Sequence, residues 1–485
     1  MEQDMNRHSL SISSSEKNRR FIFRLFLALL LLACYIYHVL PQYEKGYNAA
    51  LIDKADRLVS ISGPKIVLLG NSNVAFGMDS RMIEEELGVP VVNMGLHGGY
   101  GNPFHENMSR LHVVPGDIYV ICHGSFKDKG QINDTMAVWS SIENHFYLWR
   151  ILRFEDIETM ARSFPVYLKK SLDLYSSGKG NQDPGGVYAR NAFNEYGDIA
   201  VIREEGGFPF EETVSPSGIS DVAVGRINRL NQYLKERGAS LVVAGYPIGN
   251  GKLTEDAENF IAFQKELTER LDCPVISNYA DYMLDYMYFY NSTAHLNTEG
   301  AKLRTVQLIT DLKNWRETGM DADPDRDVYT DIVADDDLSR IRDISGYLEA
   351  LNEAKNRYTV IISAKGDASD ALNDDIYDKL RTLGITSELK KGYGYITVIE
   401  NGQNVFEECG MKKLQEGGLF DDCRMRYLIT SGGYEKGNVS SILLNGQEYS
   451  RNSRGLNFVV YSNETHRIID EVCFDTASER LTVTR

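Results

Sequence analysis

Cysteine is scarce: six residues in 485, at positions 34, 122, 273, 409, 423 and 473. They are too scattered for a disulfide scaffold and form no CxxC or Cys/His pair at zinc spacing, which excludes a cysteine-built zinc site. Positive charge is also short, 52 Lys+Arg against 69 Asp+Glu, giving a formal net charge of −17. A field of that sign repels phosphate backbones, so nucleic acid is not an expected partner. Long apolar runs are missing with one exception, which excludes a polytopic chain. What remains, 42% hydrophobic and 10% aromatic residues, is globular composition for two to three domains at ~150 residues each.

The exception is residues 21–40, FIFRLFLALLLLACYIYHVL, whose single formal charge is Arg24. About 20 residues at ~1.5 Å each match a ~30 Å hydrocarbon core, so the run reads as a transmembrane helix with Arg24 snorkelling to the near headgroups. Arg7, Lys17, Arg19 and Arg20 precede it, and the positive-inside rule then puts residues 1–20 in the cytosol and the rest outside. Two other readings stay open. A cleaved signal peptide wants a short apolar core and a small-residue site, whereas bulky Tyr35, Ile36, Tyr37, Val39 and Leu40 run on. Leu31-Leu32-Ala33-Cys34 has the form of a bacterial lipobox that would make Cys34 a lipidated terminus, and the same apolar continuation argues against it. After Pro41, the spacing of Tyr43, Tyr47, Leu51, Ala55 and Leu58 predicts a short amphipathic helix within residues 41–61.

From there strands alternate with helices. Residues 65–69, 89–93, 117–122, 241–244 and 274–277 are short apolar runs of buried-strand type. Helices are predicted after Asp79 to Leu87, over 221–237, over 254–271, and over 298–315 with Asn297 as cap. The alternation predicts a parallel sheet covered by helices on both faces, with its chemistry in loops beyond the carboxyl ends of the strands. Three such loops stand out: residues 69–77 (LGNSNVAFG), 93–101 (NMGLHGGYG) and 291–300 (NSTAHLNTEG). Glycines let backbone N–H groups approach a ligand, and a serine after the first strand with a histidine near the domain's end can serve as nucleophile and base once folding joins them. Residues 131–218 interrupt the pattern and carry Tyr147, Trp149, Phe154, Phe164 and Tyr167, which reads as a packed insertion or a lid. His97, His105 and His123 lie at no metal-ligand spacing, so no metal and no cofactor are expected.

Over about residues 62–315 these loops resemble the SGNH hydrolase family, particularly its membrane-anchored branch associated with O-acylation of extracellular polysaccharide and teichoic acid. The resemblance implies Ser72 as nucleophile, Gly95 as oxyanion donor and His295 as base. Asn73, His97 and His123, in or beside the same loops, are read as substrate contacts. Two positions depart from the family. Its aspartate three residues before the histidine is Ser292 here, which leaves neighbouring Asn291 to orient the ring, with Asp281 or Asp285 as alternative acids. Its third block, which supplies an oxyanion asparagine, reads Cys122-His123-Gly124-Ser125-Phe126. An amide stabilises an imidazolium less than a carboxylate does.

Residues 316–345 are rich in aspartate and poor in apolar groups, so they read as a solvated spacer. A DxDxD start invites a calcium-loop reading, but Arg326 stands at the required glycine position and Ile332 at the terminal carboxylate. Beyond it, strands are predicted over 358–363, 395–400, 426–430, 441–444, 456–461 and 467–474, with one helix from Ala371 to Leu383 and hairpin turns at Asn401-Gly402 and Asn445-Gly446. Arg357-Tyr358-Thr359-Val360-Ile361-Ile362-Ser363-Ala364, Asp374-Asp375 ahead of Leu380, Ser431-Gly432-Gly433, Arg454-Gly455-Leu456-Asn457-Phe458-Val459-Val460-Tyr461 and Cys473-Phe474-Asp475-Thr476 resemble the ILEI/PANDER domain. That family is named for the interleukin-like EMT inducer and also supplies the stem of the protein O-mannose N-acetylglucosaminyltransferase. The resemblance implies a glycan- or protein-contacting module over 346–485 with an α/β sandwich fold. Cys409 and Cys423 are a candidate disulfide, and Asn107, Asn133, Asn291, Asn438 and Asn463 head Asn-X-Ser/Thr sequons.

The expectation is therefore an α/β protein with a single membrane helix, an SGNH-type parallel sheet flanked by helices and a smaller C-terminal module. Its partner would be a cell-surface polysaccharide or glycoconjugate. It would act on acyl esters of that glycan, the alternative being a non-catalytic surface module with a degenerate SGNH domain.

Overall fold

The computed structural model describes residues 2–203, 218–249, 257–284, 288–324, 338–420, 425–464, 467–478 and 482–485. Asp285, Arg326, Ile332, Cys423 and residues 325–337 of the acidic spacer lie outside the described residues.

One helix, α1 (Glu2–Val39), opens the chain, and its Asn18–Val39 portion is long and apolar enough to cross a membrane by length and composition, at mean hydropathy 2.1. Its apolar side chains, Phe21, Phe23, Phe26 and Leu31 among them, are exposed. The last turn is seated on the body that follows. Val39 is wholly buried, the Tyr37 ring stacks on Phe146 at 6.1 Å, and His38 meets Tyr175 edge-on at 5.8 Å.

Four short strands, β1 (Ile66–Leu69), β2 (Val91–Asn93), β3 (Ile118–Ile121) and β4 (Ser240–Val243), form an all-parallel sheet in the order β2-β1-β3-β4. Side chains alternate across it and build a core on each face. Val67, Leu69, Tyr119 and Ile121 pack on one side, and Ile66, Leu68, Val120 and Val242 on the other. Continuous apolar runs are what a sheet covered on both faces requires, and burying each such residue contributes roughly 1.5–3 kcal/mol. The predicted strand at 274–277 is reduced to one parallel bridge, Val243 to Val275. Residues assigned to the spacer continue that edge: Asp321 accepts the Val275 N–H at 2.6 Å and Ala322 N–H donates to the Val275 carbonyl at 2.8 Å.

The amphipathic helix expected from Tyr43 begins later, as α2 (Ala50–Ser60), whose Leu51, Ile52, Ala55 and Leu58 are buried. What precedes it is a clasped loop. Glu143 Oε1 accepts the N–H groups of Gln42 and Tyr43, both at 2.9 Å, while Asn181 bonds Glu44 N–H and the Pro41 carbonyl, and Tyr167 hydroxyl donates to Leu40. Glu143 ends the helix Thr135–Ile142 at φ 34°, ψ −116°, a conformation unusual for a residue with a Cβ. Burial pushes its carboxyl up to about 8, against the two N–H groups that favour the charged form. The folded chain thus holds a proton that the unfolded chain releases near pH 4.5, so this contribution is complete below pH 4.5 and is lost as pH rises towards 8. Glu143→Gln keeps an oxygen for both N–H donors and removes the titration. The fall of Tm between pH 5 and 8 should become shallower in the variant, as thermal denaturation across that range measures.

The second unit is a separate curled sheet. Its central strand Tyr358–Lys365 pairs antiparallel with Gly394–Glu400 and Gly455–Ser462. Helices Ile344–Glu353 and Asp374–Leu383 cover one face with Val360, Ile362, Phe458 and Val460, and the curl closes over Ile361, Ile396, Val398 and Tyr461 on the other. Strand Gln403–Gly410 is the second arm of the hairpin predicted at Asn401-Gly402, whereas helix Ile344–Glu353 and strand Leu414–Leu419 have no counterpart in the sequence reading. The unit starts earlier than residue 346: Leu338 is buried in its core, and Arg485 ties the chain's last residue to Asp470 and to the Leu338 and Ile341 carbonyls.

Candidate functional site

β1 delivers the serine. Gly70 follows it, where an added Cβ would come 2.5 Å from Val74 Cγ2 and 3.2 Å from the Cys122 carbonyl oxygen, so a larger residue there would force its neighbours to shift. Asn71 then caps the short helix α3 (Ser72–Phe76), its side chain accepting the Asn73 N–H at 2.9 Å, and Ser72 is the first residue of that turn. Gly70→Ala should destabilise the fold by about 1–3 kcal/mol and displace Ser72, lowering reactivity at that serine more than overall structure; denaturant melts alongside serine labelling check it.

The histidine comes from the other end of the unit. Strands Phe289–Ser292 and His295–Leu296 make a small antiparallel hairpin just before helix Thr298–Thr318, which Asn297 caps by accepting the Gly300 N–H at 2.9 Å. His295 Nε2 lies 2.8 Å from Ser72 Oγ across 223 residues of sequence. Nδ1 lies 2.7 Å from Asn291 Oδ1, and Asn291 Nδ2 donates to the Tyr188 hydroxyl at 3.1 Å. An amide oxygen at Nδ1 requires the proton there, which leaves Nε2 free to accept from the serine hydroxyl. The ring also stacks on Phe76 at 4.0 Å and 7° between planes. Burial, and then the Arg203 cation, push His295 down to about 4, so the imidazole is neutral at pH 7. Arg203 is locked nearby by donating to the carbonyls of Phe76, Ile199, Val201 and Leu296.

Ser72 and His295 line a cavity of about 350 Å³ together with Phe76, His97, Gly98 and Tyr188, and its remaining wall is Tyr43, Gly46, Tyr47, Asn48 and Ser140. Of the sequence-derived contacts, His97 therefore lies at the cavity. Three positions are corrected. Gly95 faces packing instead: its N–H donates to Asn93 Oδ1 at 2.8 Å, and a Cβ there would come 2.6 Å from Ala75 N and Val74 Cβ. Asn73 is buried and braces α3 on β3 by donating to the Cys122 carbonyl at 3.1 Å. His123 is buried in an ionic network, Nε2 3.0 Å from Glu106, which Arg226 joins to Asp128. Asp281 is also displaced from the imidazole, its carboxyl reaching Gln307 Nε2 at 3.5 Å.

In the same loop Gly98, and not Gly95, lines the cavity. It begins the single-turn helix Gly98–Tyr100 on the cavity wall, as Ser72 begins α3, and first-turn N–H groups have no acceptor within their own helix. Ser72 and Gly98 both line the cavity, and their backbone N–H groups are the candidate oxyanion donors there. Asn93, which opens this loop, is the sequence signal: its side chain folds back onto the second residue after it and occupies the Gly95 N–H. Tyr188 and the Tyr43–Asn48 wall carried no such signal, because tertiary clasping alone brings them here. Among the described residues no group of three or more His, Cys, Asp or Glu is placed to hold a metal ion.

No family model, curated protein or solved structure matches the chain. The site's chemistry therefore rests on its geometry: a hydroxyl hydrogen-bonded to a neutral imidazole, and the imidazole held by an amide, on the wall of one cavity.

Proposed function

We propose that the chain is a membrane-anchored serine esterase or O-acyltransferase of SGNH type, working outside the cytosol on acyl esters of a cell-surface glycan. The observation that carries this is the 2.8 Å contact between Ser72 Oγ and His295 Nε2 inside an accessible cavity. Ser72 attacks the acyl carbon, His295 takes its proton and returns it to the leaving oxygen, and the Ser72 and Gly98 N–H groups stabilise the oxyanion. Water or a sugar hydroxyl then releases the acyl group. The His295 ring, held down at about 4, is neutral and free to accept a proton across the neutral range. The apolar helix supports anchoring, and the basic residues Arg7, Lys17, Arg19 and Arg20 support a cytosolic N-terminus. The curled-sheet unit is assigned as the ILEI-like module that contacts the glycan.

The test is hydrolysis of an aryl acetate by the full chain in detergent. Turnover that disappears in Ser72→Ala supports the assignment, and turnover unchanged in that variant overturns it. A glycan array probed with the full chain and with a chain lacking residues 338–485 tests the module. Signal on acidic or neutral polysaccharide that the shortened chain loses supports the tethering role, and silence from both contradicts it.

A further inference from the structure

The cavity's position relative to α1 bears on where its substrate comes from. One wall of it is Tyr43, Gly46, Tyr47 and Asn48, and Tyr43 is four residues beyond Val39, the last residue of α1. Four residues of chain reach at most about 14 Å. The Glu143, Asn181 and Tyr167 bonds described above hold the intervening residues against the body, so the wall cannot swing away from the helix end. The seat of α1 is itself flanked by large exposed rings: Phe146 is 64%, Trp149 40% and Phe154 90% exposed, and Phe146 is the residue on which Tyr37 of α1 stacks. Large apolar rings are disfavoured in water, and Trp in particular is enriched at the headgroup layer, which is roughly 5–7 Å deep on each side of the hydrocarbon. The cavity interior presents the rings of Tyr43, Tyr47, Phe76 and Tyr188 around the Ser72 hydroxyl, a lining that accommodates an alkyl chain.

We infer that the Ser72 site takes its acyl group from an ester lodged in the bilayer, an amphiphile of the leaflet where the C-terminal end of α1 emerges. The inference rests on the Ser72 assignment above and adds the class of acyl donor. The atoms balance without a redox partner. Ser72 Oγ bonds to the ester carbonyl carbon and its proton passes to His295 Nε2. The bond from that carbon to the donor alcohol's oxygen breaks, and the alcohol departs with the proton from His295. An acceptor hydroxyl or water then attacks the acyl-serine, giving its proton to His295, and Ser72 Oγ regains it as the new ester or acid leaves.

The experiment uses the full chain reconstituted in phosphatidylcholine vesicles. Two fluorogenic probes are compared, 4-methylumbelliferyl palmitate carried in the vesicles and 4-methylumbelliferyl acetate in solution, with a fluorophosphonate reporting Ser72 independently. A kcat/KM for the vesicle ester at least tenfold above that for the acetate, lost in Ser72→Ala, is the expected result. Turnover of the acetate, or of a soluble acetylated oligosaccharide, without turnover of the vesicle ester overturns the membrane donor while the nucleophile assignment stands. Absence of fluorophosphonate labelling at Ser72 overturns both. A second readout is independent of activity: bilayer-borne brominated lipids should quench the fluorescence component that Trp149→Phe removes, and an unquenched Trp149 counts against the membrane-facing seat.

Discussion

Ser72→Ala and His295→Ala should each lower kcat for an aryl ester by roughly 10³–10⁶, and the double variant should be no slower than the worse of the two. The non-additivity is the informative part. Ser72 Oγ and His295 Nε2 share one hydrogen bond, so removing either partner removes the same event, proton transfer out of the serine as it attacks. Two residues that merely shaped the cavity would contribute separately, and their losses would multiply. Steady-state kinetics on the two single variants and the double variant measure the difference directly.

Asn291→Asp is expected to act in the opposite sense. Asn291 Oδ1 sits 2.7 Å from His295 Nδ1, where a carboxylate would place its negative charge against the imidazolium formed during attack. An amide gives that position a dipole and no charge, and burial with the Arg203 cation is left to hold the ring at about 4. An opposite charge within hydrogen-bond distance typically moves a pKa by about one to three units, here upward. The acid limb of the pH–rate profile, expected near pH 4 in the native chain, should therefore move up by about that amount. Activity should fall below the limb in both proteins, because the base works only when neutral. The rate on the plateau should rise at least ~10-fold, since replacing the acid by an amide in a serine triad costs about 10⁴. Tyr188 holds the other end of the side chain, so the introduced carboxylate would accept from the Tyr188 hydroxyl as well, which keeps it aimed at the ring. A pH–rate series on both proteins reads the limb and the plateau together.

The sheet was legible in the sequence for a specific reason. Strands covered on both faces are apolar at every position, so Ile66–Leu69 and Ile118–Ile121 announce themselves as unbroken runs between glycines and helices. The second unit was legible in full where its strands are central, such as Tyr358–Lys365, and where they are peripheral only through a turn such as Asn401-Gly402. Gln403–Gly410 and Leu414–Leu419 have no fully apolar face, and their pairing with Gly394–Glu400 and Arg426–Gly432 is what makes them strands. Helix Ile344–Glu353 was hidden because the acidic stretch before it set the reading for the whole segment, although Asp343 caps it by accepting the Gly346 N–H.

The site divides along the same line. Ser72 and His295 are local consequences of a glycine-bearing strand end and a helix cap, and those patterns are written in consecutive residues. Which residue of loop 93–101 meets the cavity depends on how the loop folds back on itself: Asn93 occupies the Gly95 N–H, and Gly98 lines the cavity. Asn291 reaches the ring because the hairpin reverses between Ser292 and His295, bringing a residue four positions upstream beside Nδ1. The wall from Tyr43 to Asn48 depends on Glu143, about 100 residues away, and no pattern within residues 41–61 distinguishes a clasped loop from the first turn of a helix.

Fluorophosphonate labelling of the full chain at pH 7, with the modified peptide identified by mass spectrometry, tests the central claim most directly. The account predicts a single adduct on Ser72, formed quickly in the native chain and at least ~10³-fold more slowly in His295→Ala. An adduct on another serine, or labelling of Ser72 at an undiminished rate without the imidazole, would contradict it.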